Sequence, residues 1–186
     1  MRRLVLAATF VLCGSVCAGA QQVCQPETLT DPNLTLGEMY AKAEARARAW
    51  KPDVVIAEIT TTAVGTLQAS GKSATWNVTF VSPSAKQQVL IYVLNGAFNC
   101  SAMKAKGVTV PNLKPGFFMD SAKLYALAKE HGADYIAKGY SVQVALHVAD
   151  VDKHATWDIT YTLKDDDAGV VVQVDAQTGA FEKVVE

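Results

Sequence analysis

Two stretches of the chain carry apolar residues at the spacing of an amphipathic helix. The first opens with Thr35 and Glu38, whose side chains can form a capping box, and Pro52 closes it. Between them the apolar residues recur three, four and seven positions apart and therefore share one face: Leu36, Met39, Tyr40, Ala43, Ala47 and Trp50. The pattern predicts a helix that begins after Thr35 and ends before Pro52.

The second stretch starts 85 positions later. Asp120 stands there as an N-cap residue, and Gly139 is a suitable stop for the helix. Leu124, Tyr125 and Ala126 lie in this stretch where Met39, Tyr40 and Ala41 lie in the first. We therefore predict a second helix from about residue 121 to residue 138, matching the first.

Segments of alternating apolar and polar residues follow each helix, and this period of two is typical of strands with one buried face. They come in matched pairs: Val54–Thr62 with Ser141–Ala149, Ala74–Phe80 with Ala155–Tyr161, and Val89–Leu94 with Val170–Asp175. The closest match is Ala-Thr-Trp-Asn-Val-Thr-Phe with Ala-Thr-Trp-Asp-Ile-Thr-Tyr, 81 positions apart. Because Trp76 and Trp157 occupy the same place in this match, we expect both to be buried beneath their own helices.

The repeated order of one helix and then strands predicts an α+β fold made of two tandem units. Each helix needs an apolar surface to cover its stripe, so we expect each to pack on its own three- to four-stranded antiparallel sheet. The predicted boundaries are a first unit at 21–101, a linker at 102–119 and a second unit at 120–186. The linker contains Pro111, Pro115 and Gly116, with a short strand expected at Val108–Val110.

The first twenty residues have the features of a secretory signal peptide. Arg2 and Arg3 precede the apolar run Leu4–Cys13, and small residues end the segment at Ala20. We predict cleavage after Ala20 and a periplasmic or secreted protein. The net charge of -1 disfavours nucleic acid as a partner, and no apolar run long enough to span a membrane follows residue 20.

Cleavage leaves Cys24 and Cys100 as the two cysteines of the remaining chain. Two cysteines in an oxidising compartment most simply form a disulfide. The alternative, a redox-active or metal-binding thiol pair, is disfavoured because the chain has no C-x-x-C spacing. We predict a structural Cys24–Cys100 disulfide.

The end of the chain resembles the PepSY domain family. The resemblance rests on the aromatic strand Trp157–Tyr161, followed by Val-Val-Val-Gln-Val-Asp-Ala-Gln-Thr-Gly at 170–179. The second unit covers that pattern, whereas the first shortens the turn to Leu94, Asn95 and Gly96. The resemblance implies a non-catalytic extracytoplasmic module of the kind found in propeptides of thermolysin-class metallopeptidases and in bacterial envelope proteins, proposed to restrain peptidases. We expect Asp175 to cap the turn and Gly179 to adopt a positive φ.

Other chemistry finds little support in the sequence. His147 and His154 flank a turn containing Asp150 and Asp152, which could gather as a metal site, but solvated hairpin residues explain the same pattern. No nucleophile motif such as G-x-S-x-G accompanies His131. We therefore assign no catalytic residues, metal or cofactor, and we do not expect an enzyme.

Two classes of function remain. The first is a binding or inhibitory module that docks an extracytoplasmic protein or peptidase, and the second is a small-ligand carrier with a cavity between the two units. For the first class, Leu90, Tyr92 and Leu94 form the predicted partner-binding patch, because they fall on the sheet face away from the helix. The alternative is that Phe117 and Phe118 of the linker, or the second unit, cover this patch.

Overall fold

A computed structural model describes residues 21–62, 64–148, 154–163 and 166–185. The predicted signal peptide, residues 1–20, lies outside the described residues. The elements run in this order: β1 Gln21–Gln22, β2 Glu27–Thr28, β3 Leu34–Thr35, α1 Leu36–Trp50, β4 Val55–Thr61, β5 Lys72–Ser73, β6 Trp76–Ser82, β7 Gln87–Leu94, β8 Ala97–Lys104, α2 Ser121–Ala137, β9 Ser141–Val148, β10 Ala155–Leu163, β11 Asp166–Asp175 and β12 Phe181–Val185.

Helix α1 begins with the predicted capping box. The Thr35 backbone N–H donates to Glu38 Oε2 at 2.8 Å, and the Glu38 N–H donates to Thr35 Oγ1 at 3.3 Å. Hydrogen bonds from the Thr35 N–H and hydroxyl to the Glu38 carboxylate lower the pKa of that carboxyl. The predicted apolar face is buried at Leu36, Met39 and Ala43, so local spacing and capping together account for this helix.

Helix α2 also begins at its predicted cap but is bent near its middle. The Asp120 side chain accepts a hydrogen bond from the Lys123 N–H. Gly132 has a φ of -140° and a ψ of 30°, which interrupts the helical geometry. The Tyr161 hydroxyl donates to the Ala128 carbonyl at 2.6 Å, the oxygen that the Gly132 N–H would bond in a regular helix. A strand residue thus occupies the bend.

Ten of the described strands form one sheet in the order β1-β8-β7-β6-β4-β9-β10-β11-β12, with β2 also paired to β8, and β3 and β5 form a separate two-stranded sheet. We expected two separate sheets, but β4 pairs with β9, where Thr60 lies opposite Ala145. In each half of the chain the first strand after the helix would otherwise leave an open edge, and this pairing satisfies the backbone groups of both edges. The tertiary structure therefore confirms an α+β fold with two helices and an antiparallel sheet.

Both helices lie on the same side of the sheet. Ile59 and Val144 are buried on strands β4 and β9, as are Val78 and Ile159 on the neighbouring strands β6 and β10. The antiparallel register places these four side chains on one face, which α1 and α2 cover. Trp76 and Trp157 lie on that face and are fully buried, as predicted. We call the opposite side, which carries no helix, the outer face.

Two contacts besides the β4–β9 pairing also join the first half of the chain, up to β8, to the second half. Ser121, at the start of α2, accepts a hydrogen bond from the Leu36 N–H and donates one to the Gly71 carbonyl. The Leu67 N–H donates to the Val142 carbonyl at 2.8 Å, and the Leu67 side chain is buried. The two halves therefore share one hydrophobic core.

The segment between the halves differs in detail from the predicted linker. Strand β8 continues to Lys104, past the boundary expected at residue 101, because its backbone pairs with β7 as far as Gln87. Val108–Val110 is not a strand. Residues 105–120 contain no helix or strand and cross the helix side of the molecule, where Phe117 is buried.

A candidate partner-binding surface on the outer face

The predicted patch, Leu90, Tyr92 and Leu94, lies on the outer face of strand β7. The register of β6 and β7 sets Leu90 opposite Thr79 and Tyr92 opposite Asn77. Side chains directly opposite in an antiparallel pair point to the same face, so all of them lie on the side without helices. The structure thus brings the three predicted residues together in one row.

This row is accessible. The Leu94 side chain is 54% exposed, and Leu90 and Tyr92 are half-buried by their neighbours on the sheet. Met103, on the adjacent strand β8, adds another exposed apolar side chain opposite Gln88. The outer face of the first half therefore offers a strip of apolar surface one strand wide, with Tyr92 at its centre.

One polar atom in the strip lacks a partner. Gln88 Oε1 is buried and has no hydrogen-bond partner among the described residues. A buried carbonyl oxygen without a donor costs about 1 to 3 kcal/mol.

The outer face of the second half is polar along β9 and β10, where side chains bond to one another, and the exposed Val185 lies on the same face opposite Val171. Gln143 donates to Thr162 Oγ1 at 2.7 Å, and Gln173 donates to Asp158 Oδ1 at 3.0 Å. Thr156 also donates to Asp158. A face whose polar groups already pair in this way is stable in water, so the two halves differ on the side that faces solvent.

The linker does not cover the apolar strip. The Phe117 ring packs edge-on against Tyr40 of α1, with centroids 5.3 Å apart. The Phe118 carbonyl accepts a hydrogen bond from Trp157 Nε1 at 2.9 Å. Both residues lie on the helix side, so the expectation that they cover Leu90 and Tyr92 is wrong. Packing on the apolar core of the helix side is more favourable for the two aromatic residues than packing on the outer face, because it removes more of their apolar surface from water.

The predicted disulfide is present at the edge of the same half. Cys24 and Cys100 are joined, with their Cα atoms 5.5 Å apart. Cys100 lies on β8 and points to the buried side, whereas the segment around Cys24 runs along the β8 edge as β1 and β2. A disulfide is typical of proteins from oxidising compartments.

A cleft of about 290 Å³ lies on the helix side, between α1, β4 and the linker. Tyr40, Phe80 and Phe117 supply aromatic walls, and Glu44 and Arg48 also line it. Burial raises the pKa of Tyr40, and the nearby Glu44 carboxylate adds to this effect. All residues that line the cleft come from the first half and the linker, so its place differs from the cavity expected between the two units.

The closing turn follows the sequence prediction. The Thr178 N–H and hydroxyl both donate to Asp175 Oδ1, at 2.6 and 2.5 Å, and Gly179 has a φ of +74°. Partial burial raises the pKa of Asp175, but the hydrogen bonds from Thr178 outweigh it and lower that pKa below its usual value. The carboxylate is therefore ionised and oriented by the turn.

The histidines considered for a metal site are separated by the structure. His147 is exposed on the outer face of β9. His154 lies close to Asp175 and Glu182 instead, while Asp150 and Asp152 lie outside the described residues. The sequence did not identify Glu182 as a neighbour of His154, because a β-bulge determines the direction of its side chain.

The fold is similar to one known crystal structure, that of a putative lipoprotein from Clostridium difficile 630. The two chains share 12% sequence identity and superpose with a TM-score of 0.50, over 78% of this chain and 91% of the other. No protein-family model matches the sequence, and a search of curated proteins finds no match. Across the described ranges, neither helix is long and apolar enough to cross a membrane. The likeness concerns the fold alone.

Proposed function

We propose that the protein is an extracytoplasmic, non-catalytic binding module that docks another protein through the outer face of strand β7. The observation that carries this proposal is the apolar row of Leu90, Tyr92 and Leu94 on the face without helices, with the first two half-buried and Leu94 exposed. Apolar side chains grouped on a surface are typical of interaction sites, and an aromatic residue at the centre is typical of an interface hot spot.

The proposal includes two tandem PepSY-like units. In support, Trp76 Nε1 donates to the Leu34 carbonyl and Trp157 Nε1 donates to the Phe118 carbonyl, each just before the start of a helix. Thr60 and Ala145, which pair where the halves join, are separated by the same 85 positions as the two helix caps. A duplicated unit whose copies pair about a local two-fold axis explains both relations.

An extracytoplasmic location follows from the predicted signal peptide together with the Cys24–Cys100 disulfide. The partner is then a protein of the same compartment. The PepSY resemblance makes a peptidase the first class to test, with inhibition as the expected effect.

The test of this function compares capture by the wild-type protein with capture by Tyr92→Ala. The matched control is Gln173→Ala, 81 positions later on the outer face of the second half. Exported wild-type protein is immobilised and exposed to periplasmic extract. The affinity of each captured protein is then measured for the wild type and for both variants. We expect Tyr92→Ala to weaken the interaction about 30-fold, as for a hot-spot residue worth about 2 kcal/mol, and Gln173→Ala to leave it unchanged.

Stability decides how the result is interpreted. Leu94→Asp serves as a second variant because this exposed side chain can be changed with little effect on folding. If Tyr92→Ala and Leu94→Asp melt like the wild type and capture the same proteins with the same affinity, the outer face of β7 is not the binding surface. A parallel assay adds each variant to thermolysin cleaving a fluorogenic peptide and measures the inhibition.

The helix-side cleft supports a second function, that of a small-ligand carrier. Its walls are aromatic and apolar, which suits a ligand with an apolar body, while Arg48 pairs with Glu44. The test is binding of a fluorescent fatty acid. The larger side chain in Phe117→Trp fills the cleft and should abolish this binding, whereas Tyr92→Ala should keep it. That outcome would favour the carrier over the docking module.

A further inference from the structure

Three potential metal ligands meet at the far edge of the sheet, away from the apolar strip. His154 comes just before β10, Asp175 ends β11 and Glu182 lies in β12. One ligand atom from each lies within 4.8 Å of the other two. His154 Nε2 is 2.7 Å from Glu182 Oε1, and His154 Nδ1 is 3.9 Å from Asp175 Oδ2. His154 and Asp175 are partly buried, whereas Glu182 lies on the exposed edge strand β12.

The Asp175 carboxylate is held in place by its own turn. Both hydrogen bonds from Thr178 go to Oδ1, so Oδ2 is the oxygen that faces His154. Hydrogen bonds of this kind orient a ligand before a metal arrives and strengthen its binding.

A β-bulge brings Glu182 to the same place. Val174 pairs with Phe181 and Gln173 pairs with Lys183, which leaves Glu182 as an extra residue in β12. Phe181 is directed to the helix side, where it stacks on His131, whereas Glu182 reaches His154. Bulges are common where a strand must re-aim a side chain for function.

We propose that His154, Asp175 and Glu182 bind one zinc ion, with water completing the coordination. Ligand atoms about 2.1 Å from a tetrahedral zinc lie about 3.4 Å apart. His154 binds such an ion through one ring nitrogen only, and because one ligand atom from each residue already lies within 4.8 Å of the other two, side-chain rotations bring the set to this spacing. One imidazole and two carboxylates suit zinc, and the two carboxylates give the site a negative charge. The ion would fasten the edge strand β12 to β10 and β11.

This site is independent of the docking proposal, since none of its residues lies on β7. Zinc binding is measured by calorimetric titration of ZnCl₂ into exported protein near pH 7.5, and thermal melting is recorded with and without the metal. We expect one zinc per chain and a rise in melting temperature of about 5 °C or more when zinc is well above its Kd. His154→Ala and Glu182→Gln should each weaken binding at least about tenfold.

The matched control is His147→Ala, a histidine on the same face one strand away. Its zinc affinity should equal that of the wild type. Glu182→Gln keeps the size of the side chain, so it reports on the site even if His154→Ala lowers stability. The proposal is overturned if the wild type binds no zinc, if Glu182→Gln binds as tightly as the wild type, or if His147→Ala loses as much affinity as His154→Ala.

Discussion

Replacing Gly132 by alanine provides a strong test of the bend in α2. Helix propensity alone predicts that Gly132→Ala stabilises the protein by about 1 kcal/mol, because alanine is the better residue within a helix. The tertiary structure predicts the opposite sign. A Cβ atom at this position would lie 2.1 Å from Tyr161 Cζ and 2.2 Å from the Tyr161 hydroxyl oxygen.

The cost can be estimated from this contact. Tyr161 is fully buried and cannot rotate away without losing its hydrogen bond to the Ala128 carbonyl, worth about 1 kcal/mol. Overpacking a core adds about 1 to 3 kcal/mol. After subtracting the gain in helix propensity, we expect Gly132→Ala to destabilise the protein by about 2 kcal/mol, which lowers the melting temperature by about 4 to 8 °C.

The assay is urea unfolding followed by circular dichroism, with Gly37→Ala as the control. Gly37 lies in α1, and a Cβ there would have its nearest neighbour, the Met119 carbonyl oxygen, at 4.0 Å. This variant should be as stable as the wild type or slightly more so. In a Tyr161→Leu background the cost of Gly132→Ala should largely disappear, since the ring is gone. A Gly132→Ala protein more stable than the wild type would refute the reasoning.

Two further predictions concern the disulfide and the pH dependence of stability. Cys24→Ser with Cys100→Ser should lower the free energy of unfolding by about 4 kcal/mol, because the bond closes a loop with a sequence separation of 76; an unchanged urea midpoint would contradict this. Burial, with a smaller effect of Tyr135, raises the pKa of Tyr161 to about 12 from 10.0. The folded state therefore holds this proton more tightly than the unfolded state, so a contribution on the order of 2 kcal/mol is complete below pH 10 and lost as pH rises towards 12. Absorbance titration should show a late phenolate step that Tyr161→Phe removes; its persistence in that variant would count against the assignment.

The sequence is most informative where a structure depends on neighbours along the chain. The start of α1 follows from Thr35 and Glu38, three positions apart, and its buried face follows from the spacing of the apolar residues. The turn at Asp175 and Gly179 follows in the same way, because a short side chain and a glycine decide its geometry.

Part of the predicted site could be deduced from the sequence in the same way. Alternation along β7 is enough to place Leu90, Tyr92 and Leu94 on one face, and the structure shows them there. Their exposure was not deducible, because it depends on where a distant segment packs. From the sequence, Phe117 could have covered either face of the sheet. It lies on the helix side because packing there against Tyr40 and the core lowers the free energy.

The amino-acid sequence by itself therefore determined the two helices, the alternation of apolar and polar side chains along each strand, and the pairing of two cysteines in an oxidising environment. The tertiary structure decided that β4 and β9 join the strands into one sheet, that Tyr161 occupies a bend at Gly132, and that a bulge carries Glu182 to His154. The physical reason is the range of the interactions. Capping, turns and periodicity act over a few residues, whereas edge pairing, ring packing and strand register depend on groups brought together only when the whole sheet forms.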